Sequence, residues 1–270
     1  MIIGAHIPRE KTIIETMTQI KDNNGNALQL FLTNPRSLQI SDNSKYIKES
    51  HLIKKFCNIN KFSLVVHGPY VINLAKPFFN GKKPIDIKDT IVIHDITSAN
   101  YIGASAYVLH VGKYTTSKPE DAIETMRINI KNIINEMESR NIKTKLLLET
   151  PAGQGTELLT DFNEYLDFYY SFTEKERELF KLCIDTCHVW NCGYELNEIS
   201  RMVKNKEDII CIHLNNSITN KNARLDRHET LFNGKINPND LKDFAKAFEK
   251  SIIILEKPSD EYKKEIEYVK

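Results

Sequence analysis

The sequence predicts an α/β protein, a single-domain (β/α)8 TIM barrel, and three observations carry the prediction. Short apolar runs alternate with longer amphipathic stretches from end to end. The runs are rich in Val, Ile and Leu without polar alternation, as in strands buried on both faces of a parallel sheet. A chain of 270 residues is the usual size for eight strand-plus-helix units, and no linker, internal repeat or low-complexity tract divides it.

Candidate strands cover residues 2–6, 27–32, 63–67, 106–111, 145–149, 181–185, 209–214 and 251–256. The first starts at once, because Met1-Ile2-Ile3-Gly4-Ala5-His6 lacks the basic start and long apolar run of a signal peptide. Ile13, Ile14, Met17 and Ile20 then repeat at helical spacing until Asn23-Asn24-Gly25 stops the helix. Helices are expected next over 45–57 and 87–102. Pro119 opens another, since a first-turn amide needs no intrahelical partner, and its apolar stripe is Ile123, Met126, Ile130, Ile133, Ile134 and Met137. Further helices are expected over 159–170, 196–204 and 239–249. The aromatic run Phe162, Tyr165, Phe168, Tyr169, Tyr170 and Phe172 reads as helix packing, not as a stacking platform for bases. The polar loops 77–84 and 217–224 are expected at the surface.

Composition excludes some functions. Hydrophobic content of 41% and charged content of 27% are ordinary for a soluble globular protein. No apolar stretch reaches the roughly 18 residues of a membrane span. Cys57, Cys183, Cys187, Cys192 and Cys211 are odd in number and no secretion signal precedes them, so reduced thiols and an intracellular setting are expected. A net charge of +1 argues against coating nucleic acid through bulk electrostatics. A local positive site stays open, and bound metal would supply one.

What ends the strands is more informative. Six consecutive candidates deliver His67, His110, Glu149, Asp185, His213 and Glu256 at or near their C-terminal ends, which in a barrel converge on the face where active sites are built. Just beyond lie His188, three residues past Asp185, and the pair Asp226 and His228. Singly, such a histidine is more often a hydrogen-bonded structural residue, and Asp185 or Glu149 could cap the following helix. Together, four carboxylates in one pocket would repel one another unless cations joined them. Nine donors are too many for one tetrahedral ion, but three ions sharing a carboxylate use them all. The donor types suit zinc, with manganese or iron as alternatives. Three divalent ions against four carboxylates would turn an acidic pocket into one attractive to phosphate, and such clusters suit phosphodiester hydrolysis. Cys183, Cys187 and Cys192 lack the spacing of a structural zinc site; Cys183 and Cys211, inside apolar strands, read as small buried hydrophobes. His51 and His94 read as surface or packing residues. His6, at the mouth, reads as a residue that orients a ligand or water.

Three longer blocks carry a family resemblance. They are His67-Gly68-Pro69-Tyr70-Val71-Ile72-Asn73-Leu74-Ala75, Leu182-Cys183-Ile184-Asp185-Thr186-Cys187-His188, and His213-Leu214-Asn215 followed by Asp226-Arg227-His228. Gly4-Ala5-His6, Asn34-Pro35-Arg36, Leu148-Glu149-Thr150-Pro151 and Leu255-Glu256-Lys257-Pro258 add weaker matches. In order and over essentially the whole chain, these blocks resemble the endonuclease IV family (apurinic/apyrimidinic endonuclease family 2).

The resemblance implies that His67, His110 and Glu149 hold one zinc ion and Glu149, Asp185, His213 and Glu256 a second. His188, Asp226 and His228 would hold a third, with Glu149 the catalytic bridge. It implies a hydroxide between the first two ions that attacks the phosphorus 5′ to an abasic site, leaving a 3′-hydroxyl and a 5′-deoxyribose phosphate, and 3′-end phosphodiesterase activity as well. The partner implied is double-stranded DNA containing abasic sites, acted on by a monomer without membrane attachment. Arg36, Tyr70 and Val71 match positions that enter the duplex, where unstacking is easiest beside a missing base. The chain departs from the family pattern at Leu38, Pro8-Arg9-Glu10, Asn216, Ile218, Asn222, Ala223, Phe232 and Asn237. These affect DNA-contacting loops and remove no implied ligand. A metal-dependent sugar isomerase shares the barrel but leaves His67, His110, Asp226 and His228 without a task. A non-catalytic damage-binding protein would have lost a ligand, and none is lost.

Overall fold

The computed structural model describes residues 1–80, 83–257 and 262–270. Eight strands close into a barrel: β1 (Ile2–His6), β2 (Ala27–Leu30), β3 (Ser63–His67), β4 (Ala106–His110), β5 (Lys145–Glu149), β6 (Phe180–Asp185), β7 (Ile209–His213) and β8 (Ile252–Leu255). Each pairs in parallel with its neighbours in sequence, and β8 closes on β1. The expected TIM barrel is therefore observed, with strand ends moved by one or two residues. Gly4 is required where β1 meets β2, because a Cβ there would overlap the Ala27 carbonyl.

Period-two alternation sorts each strand between two cores. Val65, Ala106, Val108, Leu147, Cys183, Cys211, Ile252 and Ile254 fill the barrel interior. Outward residues such as Leu64, Val66, Leu146, Leu148, Ile184 and Ile212 pack under the helices. Two positions after the interior residues Val65, Val108, Leu147, Cys183, Cys211 and Ile254 come His67, His110, Glu149, Asp185, His213 and Glu256. The site thus continues the inward row of each strand upward to the mouth. In β7 the phase is kept by an irregularity: Leu182 pairs with Ile209 but Cys183 with Cys211, so Ile210 is the extra residue of a bulge.

The helices are α1 (Ile13–Asp22), α2 (Ser44–Asn60), α3 (Ile91–Ile102), α4 (Pro119–Ser139), α5 (Phe162–Tyr170), α6 (Glu176–Leu179), α7 (Thr186–Asn191), α8 (Leu196–Met202), α9 (Pro238–Ala247) and α10 (Tyr262–Val269). Helix α4 buries its expected stripe except Ile123, which is half-buried. Two helices begin later than expected. Residues 87–89 form a separate 3-10 turn before α3, and Leu159 takes a left-handed φ of 55° before Asp161 caps α5. Helices α6, α7 and α10 were not expected. The loop 217–224 is exposed only in part. Ser217 is fully buried, because Asn191 Nδ2 donates to its Oγ (3.1 Å) and Lys235 N to its carbonyl (2.7 Å). Residues 81–82 of the loop 77–84, and Pro258, lie outside the described residues. No helix of the described residues is long and apolar enough to cross a membrane.

Candidate metal centre at the barrel mouth

The nine donors named from sequence meet at the C-terminal face and fall into three groups. His67, His110 and Glu149 form one, Glu149, Asp185, His213 and Glu256 another, and His188, Asp226 and His228 the third; within each, the ligating atoms lie within 4.8 Å of one another. Glu149 belongs to two groups. Its Oε2 lies 3.3 Å from His67 Nε2 and 3.1 Å from His110 Nε2, while its Oε1 lies 2.9 Å from His213 Nδ1. Strand ends supply the first two groups. The third comes from α7 and from a short ribbon pairing Asn216–Ser217 with His228–Glu229, which folds the distant His228 back over the mouth. Asn216 anchors that fold: its Nδ2 donates to the carbonyls of Leu231 and Ile236, both at 2.8 Å, and its Oδ1 accepts from Ile236 N at 2.8 Å.

Helix α7 has a cause in the site itself. Asp185 caps it, accepting from His188 N at 2.9 Å, so one carboxylate both starts the helix and faces the centre. The helix then places His188 with Nε2 3.5 Å from Asp226 Oδ1, and His228 Nε2 lies 3.1 Å from the same oxygen.

Three histidines have their orientation fixed from behind. His67 Nδ1 donates to the Gly68 carbonyl (2.7 Å) and His188 Nδ1 to the Thr150 carbonyl (2.7 Å). His213 Nε2 donates to Gln29 Oε1 (2.8 Å), whose amide is oriented by donation from its own Nε2 to Glu256 Oε1 (2.7 Å). In neutral imidazole the other nitrogen is then an acceptor, and each of these lone pairs faces carboxylate oxygens, also acceptors. Acceptor facing acceptor at 3 to 4 Å is repulsive unless a proton or a cation lies between.

The acid–base balance reflects this demand. Burial is the largest influence on His188, His213 and His228 and disfavours charge. The surrounding Asp185, Asp226, Glu149 and Glu256 nevertheless outweigh it, holding His188 and His213 well above the ordinary histidine value and His228 at about 9. Glu149 is likewise opposed by burial yet held well below the carboxylate range by His213 and His110. His67 alone is driven down by burial, toward the neutral form a metal requires. Burial raises Asp185, and Glu256 and Glu149 add to it.

Sequence reasoning missed Gln29, which clamps His213 and Glu256 together. Its one signal is to be the lone polar side chain in the run Ala27-Leu28-Gln29-Leu30. Asn215 does similar service: its Nδ2 donates to Asp185 Oδ2 (2.6 Å) and Glu256 Oε2 (3.0 Å). His6 accepts from Gln29 Nε2 at 3.2 Å, behind the second group. Cys183 and Cys211 are buried in the interior as expected, and all five cysteines are free. Of the helical histidines, His51 is exposed, and His94 packs half-buried beside Asp95. The aromatic run of α5 is buried except Tyr170.

Above the donors opens a cavity of about 620 Å³ whose walls include Tyr70, Lys113, Gln154, Arg227 and Lys257. Tyr70, 53% exposed, sets its ring 5.5 Å from that of His67 and 5.7 Å from that of His110, with Val71 exposed beside it. Tyr70 N donates to the Pro35 carbonyl (2.9 Å), tying this loop to the one carrying the exposed Arg36. Asn73 accepts from Lys113 N and donates to the Lys113 carbonyl, both at 2.9 Å, which fixes the next wall.

Over residues 17–270 the chain matches the family described as xylose isomerase-like TIM barrel. A putative endonuclease 4 of Acanthamoeba polyphaga mimivirus is 31% identical over 276 residues, spanning 96% of this chain and 86% of that protein. A probable endonuclease 4 of Metamycoplasma arthritidis is 31% identical over 88% of this chain and 85% of that protein. The solved endonuclease IV of Thermus thermophilus superposes with a TM-score of 0.74 at 21% identity, covering 99% of this chain and 97% of that one. A D-tagatose 3-epimerase-like protein superposes with 0.72 at 16% identity, covering 100% and 97%. Backbone shape therefore does not separate these classes, and sequence does: the chain belongs to the endonuclease IV family, within the xylose isomerase-like TIM barrels.

Proposed function

We propose that residues 1–270 form one metal-dependent DNA-repair endonuclease domain, which hydrolyses the phosphodiester 5′ to an abasic site and leaves a 3′-hydroxyl and a 5′-deoxyribose phosphate. The observation that carries this reading is the set of histidine lone pairs held from behind and aimed at carboxylates. Such a donor set fits divalent cations, and its mixed imidazole and carboxylate chemistry suits zinc, with manganese or iron as alternatives. His67, His110 and Glu149 would hold one ion, Glu149, Asp185, His213 and Glu256 a second, and His188, Asp226 and His228 a third. When bound, the ions supply positive charge for the phosphate oxygens and a lowered pKa for coordinated water.

The protein's own part is positioning. Glu149 spans the first two groups and sets their separation. The imidazoles lie fixed before substrate arrives, so little reorganisation accompanies reaction. Lys113, Arg227 and Lys257 line the cavity, where their charges would meet backbone phosphates. Arg36, Tyr70 and Val71 stand exposed at the rim, where they would enter the duplex and hold the abasic nucleotide out of the stack. The same site would clear blocked 3′ ends, since the scissile bond there is also a phosphodiester or phosphomonoester.

The test combines metal analysis of the purified protein with cleavage of an end-labelled duplex containing one abasic site. Bound metal and a nick 5′ to the lesion are expected, both lost on chelation. Protein that binds no metal, or that interconverts ketoses and aldoses without nicking, would overturn the assignment.

A further inference from the structure

Beneath the three donor groups the interior holds a second kind of chemistry. Cys183 and Cys211 are register partners on β6 and β7, one inward step below Asp185 and His213, which are themselves partners. Both thiols are fully buried, among Val65, Val108, Leu147 and Ile254. Their sulfurs and a ring nitrogen of His213 lie within 4.8 Å of one another. Gln29 occupies Nε2 of that ring, which leaves Nδ1 as the nitrogen open to a ligand.

We propose that Cys183 Sγ, Cys211 Sγ and His213 Nδ1 form a site for a thiophilic divalent cation, of which Cd2+ is the probe. Two sulfurs and one imidazole nitrogen are an established ligand set for group 12 ions. Sulfur in an apolar surround selects soft ions over the hard ones that carboxylates prefer. Binding expels the two thiol protons to solvent and forms two metal–sulfur bonds, with no change of oxidation state. The site competes with the one above it, because His213 Nδ1 also faces Glu149 Oε1 at 2.9 Å and Glu256 Oε2 at 3.3 Å, and one lone pair serves one ion. A thiophilic ion would enter from the mouth, sink one layer and draw His213 away from its carboxylate partners. The competition rests on the proposed endonuclease reading; the thiol site itself does not.

The experiment titrates Cd2+ into the metal-loaded protein while following the ultraviolet thiolate-to-cadmium charge-transfer band and, in parallel, nicking of an abasic duplex. The native protein and a Cys57→Ser, Cys187→Ala, Cys192→Ala variant are expected to develop the band and saturate at a single sulfur-bound ion, with activity falling alongside. Cys211→Val, which removes the thiol and keeps the site apolar, should lose the band and resist cadmium inhibition by about ten-fold or more. Cys183→Ala should behave likewise and carries the test if Cys211→Val fails a thermal-melt check. A band that survives either substitution, or saturating Cd2+ bound with no sulfur band, overturns the proposal. A normal band in protein that never nicks DNA would leave the thiol site standing and sink the endonuclease reading instead.

Discussion

Replacing Gln29 by leucine tests whether a residue that touches no substrate sets the strength of the centre. The amide accepts from His213 Nε2 at 2.8 Å and donates to Glu256 Oε1 at 2.7 Å, inside a fully buried environment. Leucine has nearly the same volume and removes both bonds. Without the amide, neutral His213 would place its proton on Nδ1, facing Glu149 and Glu256, and leave Nε2 bare. Binding a metal through Nδ1 would then require the proton to return to Nε2, where no acceptor awaits it. A buried unsatisfied donor costs about 1–3 kcal/mol, which corresponds to about 5–150-fold in affinity. The losses typical of residues that orient metal ligands, about 10–100-fold, fall in the same range.

Two measurements check this. Competition against a chromophoric chelator gives the affinity, and long-range proton–nitrogen correlation of the His213 ring reports which nitrogen carries the proton. The expected result is at least about ten-fold weaker metal binding with little change in melting temperature and, in the metal-free variant at a pH above the raised His213 titration where the ring is neutral, a reversed tautomer. A purely structural role would lower the melting temperature and leave the tautomer alone. Gln29→Leu protein that binds metal within about two-fold of native would refute the reasoning.

Other expectations follow from the same geometry. Glu149→Gln keeps the shape but removes the charge shared by two donor groups; nicking should fall to background, read on an end-labelled abasic duplex. In metal-free protein, His188, His213 and His228 have raised folded-state pKa values, so their stabilisation is full below the unfolded value of roughly 6.5 and fades as pH rises through about 9 for His228. Glu149 and Glu256 are depressed and act oppositely, losing their contribution as pH falls below the ordinary carboxylate range. Thermal melts should therefore show the chelated protein losing stability as pH rises from roughly 6.5 through about 9 while the loaded protein does not, and metal uptake at pH 7 should release protons. Tyr70→Ala should weaken binding of an abasic duplex by about 5–150-fold, the range given by a lost stacking contact of about 1–3 kcal/mol, with metal content unchanged.

The barrel was legible because strands buried on both faces read as unbroken apolar runs, and their boundaries moved where the outermost residues leave the ladder or, at Phe180, join it. The candidate ligand residues were legible because six consecutive apolar runs each end in a histidine or a carboxylate, a joint pattern that helix caps and structural histidines taken singly do not produce. What escaped was set by contacts distant in sequence. The start of α7 is hidden within a signature block, since Asp185 serves as cap and as donor at once. Gln29 carries no charge and sits mid-strand, so only its reach to His213 and Glu256 reveals it. Ser217 lies in a polar stretch that reads as loop, yet Asn191 and Lys235 draw it inside.

The bulge in β7 shows how narrowly the site is aimed. Strict alternation from the outward Ile209 would turn Ile210 inward, Cys211 outward, Ile212 inward and His213 toward the helices. The extra residue resets the phase between Ile209 and Cys211, so that Cys211 meets Cys183 and His213 meets Asp185 on the inner face. One local irregularity therefore delivers both the thiol pair and the histidine above it. A bulge is a feature sequence does not announce, because Ile209, Ile210 and Ile212 suit either face equally well. It follows that polar substitution should separate the two faces: Ile212→Ser, which opens the outer core, should cost stability and spare metal binding, whereas Cys211→Ser should spare the outer core. Were the phase not reset at Ile210, the two substitutions would exchange their effects.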